Sequence, residues 1–290
     1  MPRPPLAPGL ALALLAVAVS ACERPAPAPA AGVPAADPVV PYRLDAPDAR
    51  LALPRALQEI SGLTVLPSGR LGAVQDESGT IYEVDPLTGD VVDELVFEGA
   101  GDYEGLALTP EAVWVLRSDG DLYRVARGAD GAATTEKVET ALSAGNDTEG
   151  LAFDAAANRL LIACKESPEA DGVDGLGGVR AVYAFDLGTG ALSRRPVFTL
   201  DRAVVDDGAA FKPSALALHP LTGHLYVLSS VRKAVAVIGP DGTLLAVRPL
   251  DEALFPQPEG IAFAADGTLF IANEGPTGPG TILRFAPAAA

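Results

Sequence analysis

Tyr103-Glu104-Gly105-Leu106-Ala107 is one copy of a phrase that occurs five times in this chain. The others are Ile60-Ser61-Gly62-Leu63-Thr64, Thr148-Glu149-Gly150-Leu151-Ala152, Pro213-Ser214-Ala215-Leu216-Ala217 and Pro258-Glu259-Gly260-Ile261-Ala262. Measured between the Ser/Glu positions, the steps are 43, 45, 65 and 45 residues. A period of that size marks stacked supersecondary units. It also returns the same side chain, three times a carboxylate, to an equivalent place in each unit.

Within a unit the apolar runs are short. Gly105–Leu108, Ala112–Leu116, Leu122–Val125 and Lys137–Leu142 are separated by Thr109-Pro110 and Ser118-Asp119-Gly120-Asp121. Four strands with Gly, Pro and Asp turns and no helix-length period read as an antiparallel meander. The last unit supplies three strands, so a strand within Tyr42–Leu53 is expected to complete it and close a ring. The fold class is therefore all-β: a five-bladed β-propeller of four-stranded blades. Six blades are the alternative if the 65-residue step hides one. The surplus, Glu166–Val179 and Val204–Pro213, has few apolar runs and reads as loops, with Glu166–Val179 a potential lid.

Outward from the repeats, Arg3 precedes an apolar Leu6–Val19, and Val19-Ser20-Ala21-Cys22 matches a lipobox. Residues 1–21 thus read as a lipoprotein signal peptide and Cys22 as the lipidated residue. Residues 22–41 form a Pro/Ala-rich tether of up to roughly 50 Å, and 42–290 the propeller. Placement in the bacterial cell envelope, facing the periplasm, follows. Cys164 is the one other cysteine, so no internal disulfide is available. The net charge of −17 argues against nucleic acid as a partner.

Glu59-Ile60-Ser61-Gly62-Leu63, Asp102-Tyr103-Glu104-Gly105, Cys164-Lys165-Glu166, Leu228-Ser229-Ser230 and Pro256-Gln257-Pro258-Glu259-Gly260, with the third phrase, resemble the SdiA-regulated (YjiK-like) family of periplasmic β-propeller proteins. The resemblance covers nearly all of residues 55–286. It implies a propeller outside the cytoplasm and assigns no reaction. Ser118-Asp119 and Ser230-Val231 depart from it where acidic residues are expected.

In a propeller, the start of each first strand and the end of each second strand meet at one channel mouth. The first set is Ser61, Glu104, Glu149, Ser214 and Glu259. Two residues earlier stand Glu59, Asp102, Asp147, Lys212 and Gln257. The second-strand ends give Asp76, Ser118, Lys165, Ser230 and Glu274, with Glu166 beside Lys165. Crowded carboxylates repel and need protons, bases or a metal. Oxygen ligands suit Ca²⁺, and no His/Cys cluster suits zinc. The expected metal ligands are Glu104, Glu149, Glu259, Asp76 and Glu274. Alternatively, Lys165 and Lys212 neutralise the ring. Functionally, the mouth reads as a binding site for a small ligand or an envelope protein. The alternative is a metal-assisted hydrolase of a small ester, lactone or phosphoester. His219 and His224 flank a turn expected on the opposite face, away from any such chemistry.

Overall fold

The computed structural model describes residues 1–2 and 37–288; the expected signal peptide and most of the expected tether, Cys22 included, lie outside them. The chain forms five antiparallel sheets arranged as blades. Blade 1 is β2 (Ile60–Val65), β3 (Leu71–Gln75), β4 (Ser78–Val84) and β5 (Val91–Ala100). Blade 2 is β6 (Tyr103–Leu108), β7 (Val113–Arg117), β8 (Leu122–Arg127) and β9 (Ala133–Val138). Blade 3 is β10 (Thr148–Asp154), β11 (Arg159–Cys164) and β12 (Val179–Asp186), edged by β13 (Ala191–Leu192) and β14 (Phe198–Asp201). Blade 4 is β15 (Ala215–Leu218), β16 (Leu225–Ser229), β17 (Ala234–Ile238) and β18 (Leu244–Pro249). Blade 5 is β19 (Pro258–Phe263), β20 (Leu269–Asn273) and β21 (Thr281–Phe285), completed by β1 (Ala49–Ala52) from the other end of the chain. Ala49 pairs with Arg284 and Ala52 with Thr281. The expected closure is thus made by four residues of the stretch proposed for it. The 65-residue step contains loops and a single helical turn, α1 (Arg202–Val205), so the count stays at five.

Five apolar cores lie between neighbouring blades. Successive residues of a strand feed opposite sides: Leu269 and Ile271 pack towards blade 4, Phe270 and Ala272 towards blade 1. This alternation is why the second strands read as unbroken apolar runs; they are buried on both faces. Trp114 and Tyr82, Tyr123, Tyr183 and Tyr226 all lie in these cores.

The glycine of the repeated phrase is set by the narrowness of a five-bladed ring. A Cβ on Gly105 would stand 2.9 Å from Leu151 Cβ and 3.0 Å from Glu149 O on the next blade. One on Gly62 would stand 2.9 Å from Gly105 Cα, and one on Gly150 3.0 Å from Leu216 N. First strands close around the axis at these stations only where no side chain intervenes. Blade 4, with Ala215, is the exception.

The face opposite the mouth is latched by the incoming chain. Val40 and Tyr42 pack into the core between blades 4 and 5. The Tyr42 hydroxyl donates to Gly267 O (2.7 Å), so His219 Nε2–H donates to Tyr42 at 2.9 Å. His219 Nδ1 accepts from Leu221 N and Thr222 N, at 3.2 and 3.3 Å. The Tyr226 hydroxyl donates to Val39 O at 2.7 Å. His219 is therefore a structural residue on the far face, as its turn position implied, and burial holds its pKa below the ordinary value.

Candidate functional site

The Ser/Glu of four of the five phrases sits on a β-bulge. Strand pairing slips between Ile60 and Gly62, Tyr103 and Gly105, Thr148 and Gly150, and Pro258 and Gly260. The skipped residues are Ser61, Glu104, Glu149 and Glu259. A bulge leaves one residue unpaired and re-aims its side chain. In blade 4, Ser214 precedes β15 and its N–H bonds Leu228 O at 2.9 Å. One backbone device thus recurs in four of the five blades.

The two serines and three glutamates use the station differently. Ser61 Oγ donates to Tyr103 O at 2.5 Å, and Ser214 Oγ to Pro258 O at 2.7 Å. Each serine therefore straps its blade to the next. The glutamates cannot donate in that way when ionised, and they crowd one another. Burial and then Glu149 push Glu104 up to about 10, and Glu104 shares a hydrogen bond with Asp102. Burial and then Glu259 raise Glu149, against the pull of Lys165. Glu259 rises to about 7 through burial, restrained by the Ser230 hydroxyl and by the charges of Lys165 and Lys233.

A second group of carboxylates lies on blades 5, 1 and 2. Asp76 rises to about 6 through burial and then Glu59 and Asp102. Glu274 rises to about 8 through burial, Glu259, Asp76 and Glu59; its Oε2 accepts from Gln257 Nε2. No lysine or arginine comes within 4 Å of Glu59, Asp76, Asp102 or Glu274 among the described residues. The blade 3–4 side is different. Lys165 Nζ donates to Glu149 Oε1 and lies 3.9 Å from Asp147 Oδ2. Burial disfavours the Lys165 charge, but Glu149 and Asp147 outweigh it and keep the ammonium. Lys212 Nζ pairs with Glu166 instead. Of the two bases expected to neutralise the ring, Lys165 alone contacts it; Lys212 is spent at the rim.

The mouth also holds buried polar atoms with no hydrogen-bond partner from the protein. Glu149 is 3% exposed, yet its Oε2 has no partner. Asp76 Oδ1 is in the same state. Asn273 is fully buried, and both its Oδ1 and Nδ2 lack partners. Asn273 faces Pro258 in the strand ladder, one residue from Glu259. Sequence reading stopped at Glu274 and missed it. The signal was there in outline: an amide ending an apolar strand beside a repeated acidic station.

Immediately below the ring the channel narrows to a void of about 10 Å³ among Gly62, Gly105, Gly150 and Leu216. Below that, a cavity of about 180 Å³ opens between the first strands, with Leu63, Leu106, Leu151, Leu216 and Ile261 among the residues that line it. The mouth is a shallow polar cup with an apolar floor. The Glu166–Val179 segment beside it is fastened. Asn146 Nδ2 donates to Ser167 O and Glu169 O (2.9 and 2.8 Å), and the Tyr183 hydroxyl to Pro168 O (2.8 Å). Cys164 is buried, and burial pushes its thiol up to about 12, so it is inert at neutral pH.

The SdiA-regulated family model matches residues 42–278. The chain belongs to the SdiA-regulated family. No curated protein matches its sequence significantly. Among solved structures it is similar to the glutaminyl cyclase of Myxococcus xanthus, at 17% identity and TM-score 0.58 over 82% of this chain and 94% of that one. It is also similar to a gluconolactonase from Xanthomonas campestris, at 18% identity and TM-score 0.52 over 78% and 72%. At such identities these likenesses establish the fold shared by this family member and carry no activity across.

Proposed function

We propose that this SdiA-regulated protein is a lipid-anchored, periplasm-facing binding module whose acidic mouth takes up a divalent cation, Ca²⁺ first among them. The observation that supports this most is the set of buried oxygens without partners: Glu149 Oε2, Asp76 Oδ1 and Asn273 Oδ1. Burying a polar atom unbonded costs about 1–3 kcal/mol, and a hard cation is a partner that several such oxygens can share. Ca²⁺ accepts carboxylate and amide oxygens in flexible arrangements. Glu104, Glu149 and Glu259 would hold it on the axis, with Asn273 as an uncharged ligand and Asp76 or Glu274 to complete the set. Among the described residues no three such side chains already stand at metal-ligand spacing. Uptake would therefore draw the carboxylates inward and release their protons.

The lipid anchor rests on the sequence of residues 19–22 and the Pro/Ala-rich stretch after it. The ion then serves as the fixed charge around which a small ligand or an envelope partner is held. Calorimetric titration of chelator-treated protein with Ca²⁺ tests this reading. The expected result is saturable binding and a rise in melting temperature, worth about 2.7 kcal/mol at a hundred-fold excess over Kd. Absence of both heat and thermal shift rejects it.

A further inference from the structure

We propose that the face opposite the mouth rests on a phospholipid surface: the groove between blades 5 and 1 on that face takes the apolar part of the lipid, and Arg284 at its edge meets the phosphate. This rests on the lipid-anchored part of the reading above. It adds the orientation of the propeller on the membrane, with the acidic mouth turned away.

Leu87 (72% exposed) and Leu221 (69%) are the most exposed large apolar side chains of the propeller among the described residues. Leu87 lies in the turn joining β4 to β5 and Leu221 in the turn joining β15 to β16. Both turns stand on the far face. Beside them lies a groove of about 840 Å³, with Pro67, Pro86, Leu87, Pro220, Phe263 and Arg284 among the residues that line it. It runs to the far end of the channel, sharing Val65, Leu108 and Phe263 with the cavity there. An exposed apolar surface of this kind marks a contact site.

Lipid is the occupant that the rest of the molecule favours. The chain leading from Cys22 is fastened on this side, through Val40 and Tyr42 in the core and Val39 O on the Tyr226 hydroxyl. Residues 23–36 span at most roughly 45 Å, so an acylated Cys22 keeps this face within reach of the bilayer. Arg284 has no carboxylate within 4 Å among the described residues. A phosphate supplies the missing anion. The acids of the surrounding turns are bonded locally: Asp85 to Leu87 N, Asp241 to Thr243 N and Asp266 to Thr268 N, at 2.8, 3.0 and 2.9 Å. They keep their charge, so a zwitterionic headgroup fits this face better than an anionic one. The mouth carboxylates lie one six-residue first strand away, or about 20 Å. That exceeds the Debye length of about 8 Å, so they do not repel the surface. A second copy fits less well, because two chains of net charge −17 repel each other.

The experiment places a fluorophore on single introduced cysteines of the full-length protein; Cys164, 1% exposed, does not compete for it. Leu87→Cys and Leu221→Cys report the far face, and Val231→Cys, at a position 48% exposed, reports the mouth rim. Mass spectrometry of the N-terminal peptide first shows whether Cys22 is acylated, which tests the anchor reading alone. If it is not, that reading fails, and Cys22→Ser protein added to the same vesicles still decides the groove. The vesicles are phosphatidylethanolamine and phosphatidylcholine with doxyl-labelled lipid. Emission at 87 and 221 should be quenched about three-fold more than at 231, as expected for side chains seated at the headgroup boundary. Equal quenching at all three positions overturns the proposal. So does emission at 87 that shifts to the blue with protein concentration when no vesicles are present, which assigns the groove to a second copy. Arg284→Gln in the Leu87→Cys protein should lower the quenching; unchanged quenching overturns the phosphate contact. Should Arg284→Gln not fold, the comparison of the three labelled positions stands as the test without it.

Discussion

Each face of the propeller buries a cluster of polar side chains, and the two are finished differently. On the far face, His219 donates to Tyr42 and Tyr42 to Gly267 O, while the Tyr226 ring packs against both and its hydroxyl donates separately to Val39 O, so each polar group is satisfied. At the mouth, Glu149, Asp76 and Asn273 retain buried atoms with no partner, and one lysine serves three axial glutamates. A satisfied buried network fixes structure; an unsatisfied one costs stability and persists where a ligand supplies the missing bonds. The contrast distinguishes the two faces without reference to any relative and supports the mouth as the candidate site.

The sharpest test is to damage the finished cluster. Tyr42→Phe leaves the His219 N–H and Gly267 O without their partner, and should cost about 1–3 kcal/mol. Its melting temperature should fall while its response to Ca²⁺ is unchanged; a lost Ca²⁺ response would tie the far face to the site. The mirror experiment repairs the unfinished cluster. Asn273→Leu removes two unbonded polar atoms and should raise the cation-free stability by about 1 kcal/mol, while weakening the thermal shift produced by Ca²⁺. Destabilisation, with Ca²⁺ binding intact, would make Asn273 an ordinary core residue.

The two faces should also titrate in opposite senses. Glu104 and Glu274 carry pKa values near 10 and 8, above the ordinary 4.5, mainly through burial. The folded chain thus holds protons that the unfolded chain releases. Stability of the cation-free protein should fall as pH rises from about 4.5 through 8, most plainly above 6.5 where His219 no longer opposes the trend, and Ca²⁺ should remove that fall. His219 is depressed below 6.5, so its contribution is present above that value and is lost as the pH drops below it. Scanning calorimetry from pH 5 to 8, with and without Ca²⁺, checks both limbs; a cation-free melting temperature that rises towards pH 8 contradicts the account of the mouth.

The smallest effect is expected at Glu104. Held protonated near pH 7, it should tolerate Glu104→Gln within about 0.5 kcal/mol in cation-free protein, the range of a neutral swap. Denaturant melts would show it, and a larger change would mean that Glu104 is ionised in the folded chain.

Much of this was legible in the residues themselves. The repeated phrase gave the blade count, the turns gave the strands, and the Ser/Glu spacing placed Glu104, Glu149 and Glu259 at one mouth. Asn273 was not legible, because an amide at a strand end reads the same whether its atoms are bonded or orphaned. The pairing of Lys212 with Glu166 was hidden for a similar reason: two bases near a ring look alike until side chains choose partners.

The sequence by itself determined that five like units must close on an axis, because glycines recur where first strands have no room for a Cβ and apolar runs recur where blades need two buried faces. The tertiary structure alone decided which polar side chains are finished and which are not. Local patterning dictates which backbone forms and which face is buried. Hydrogen-bond satisfaction depends on atoms brought together from blades far apart in the chain, and those meet only after the ring has closed.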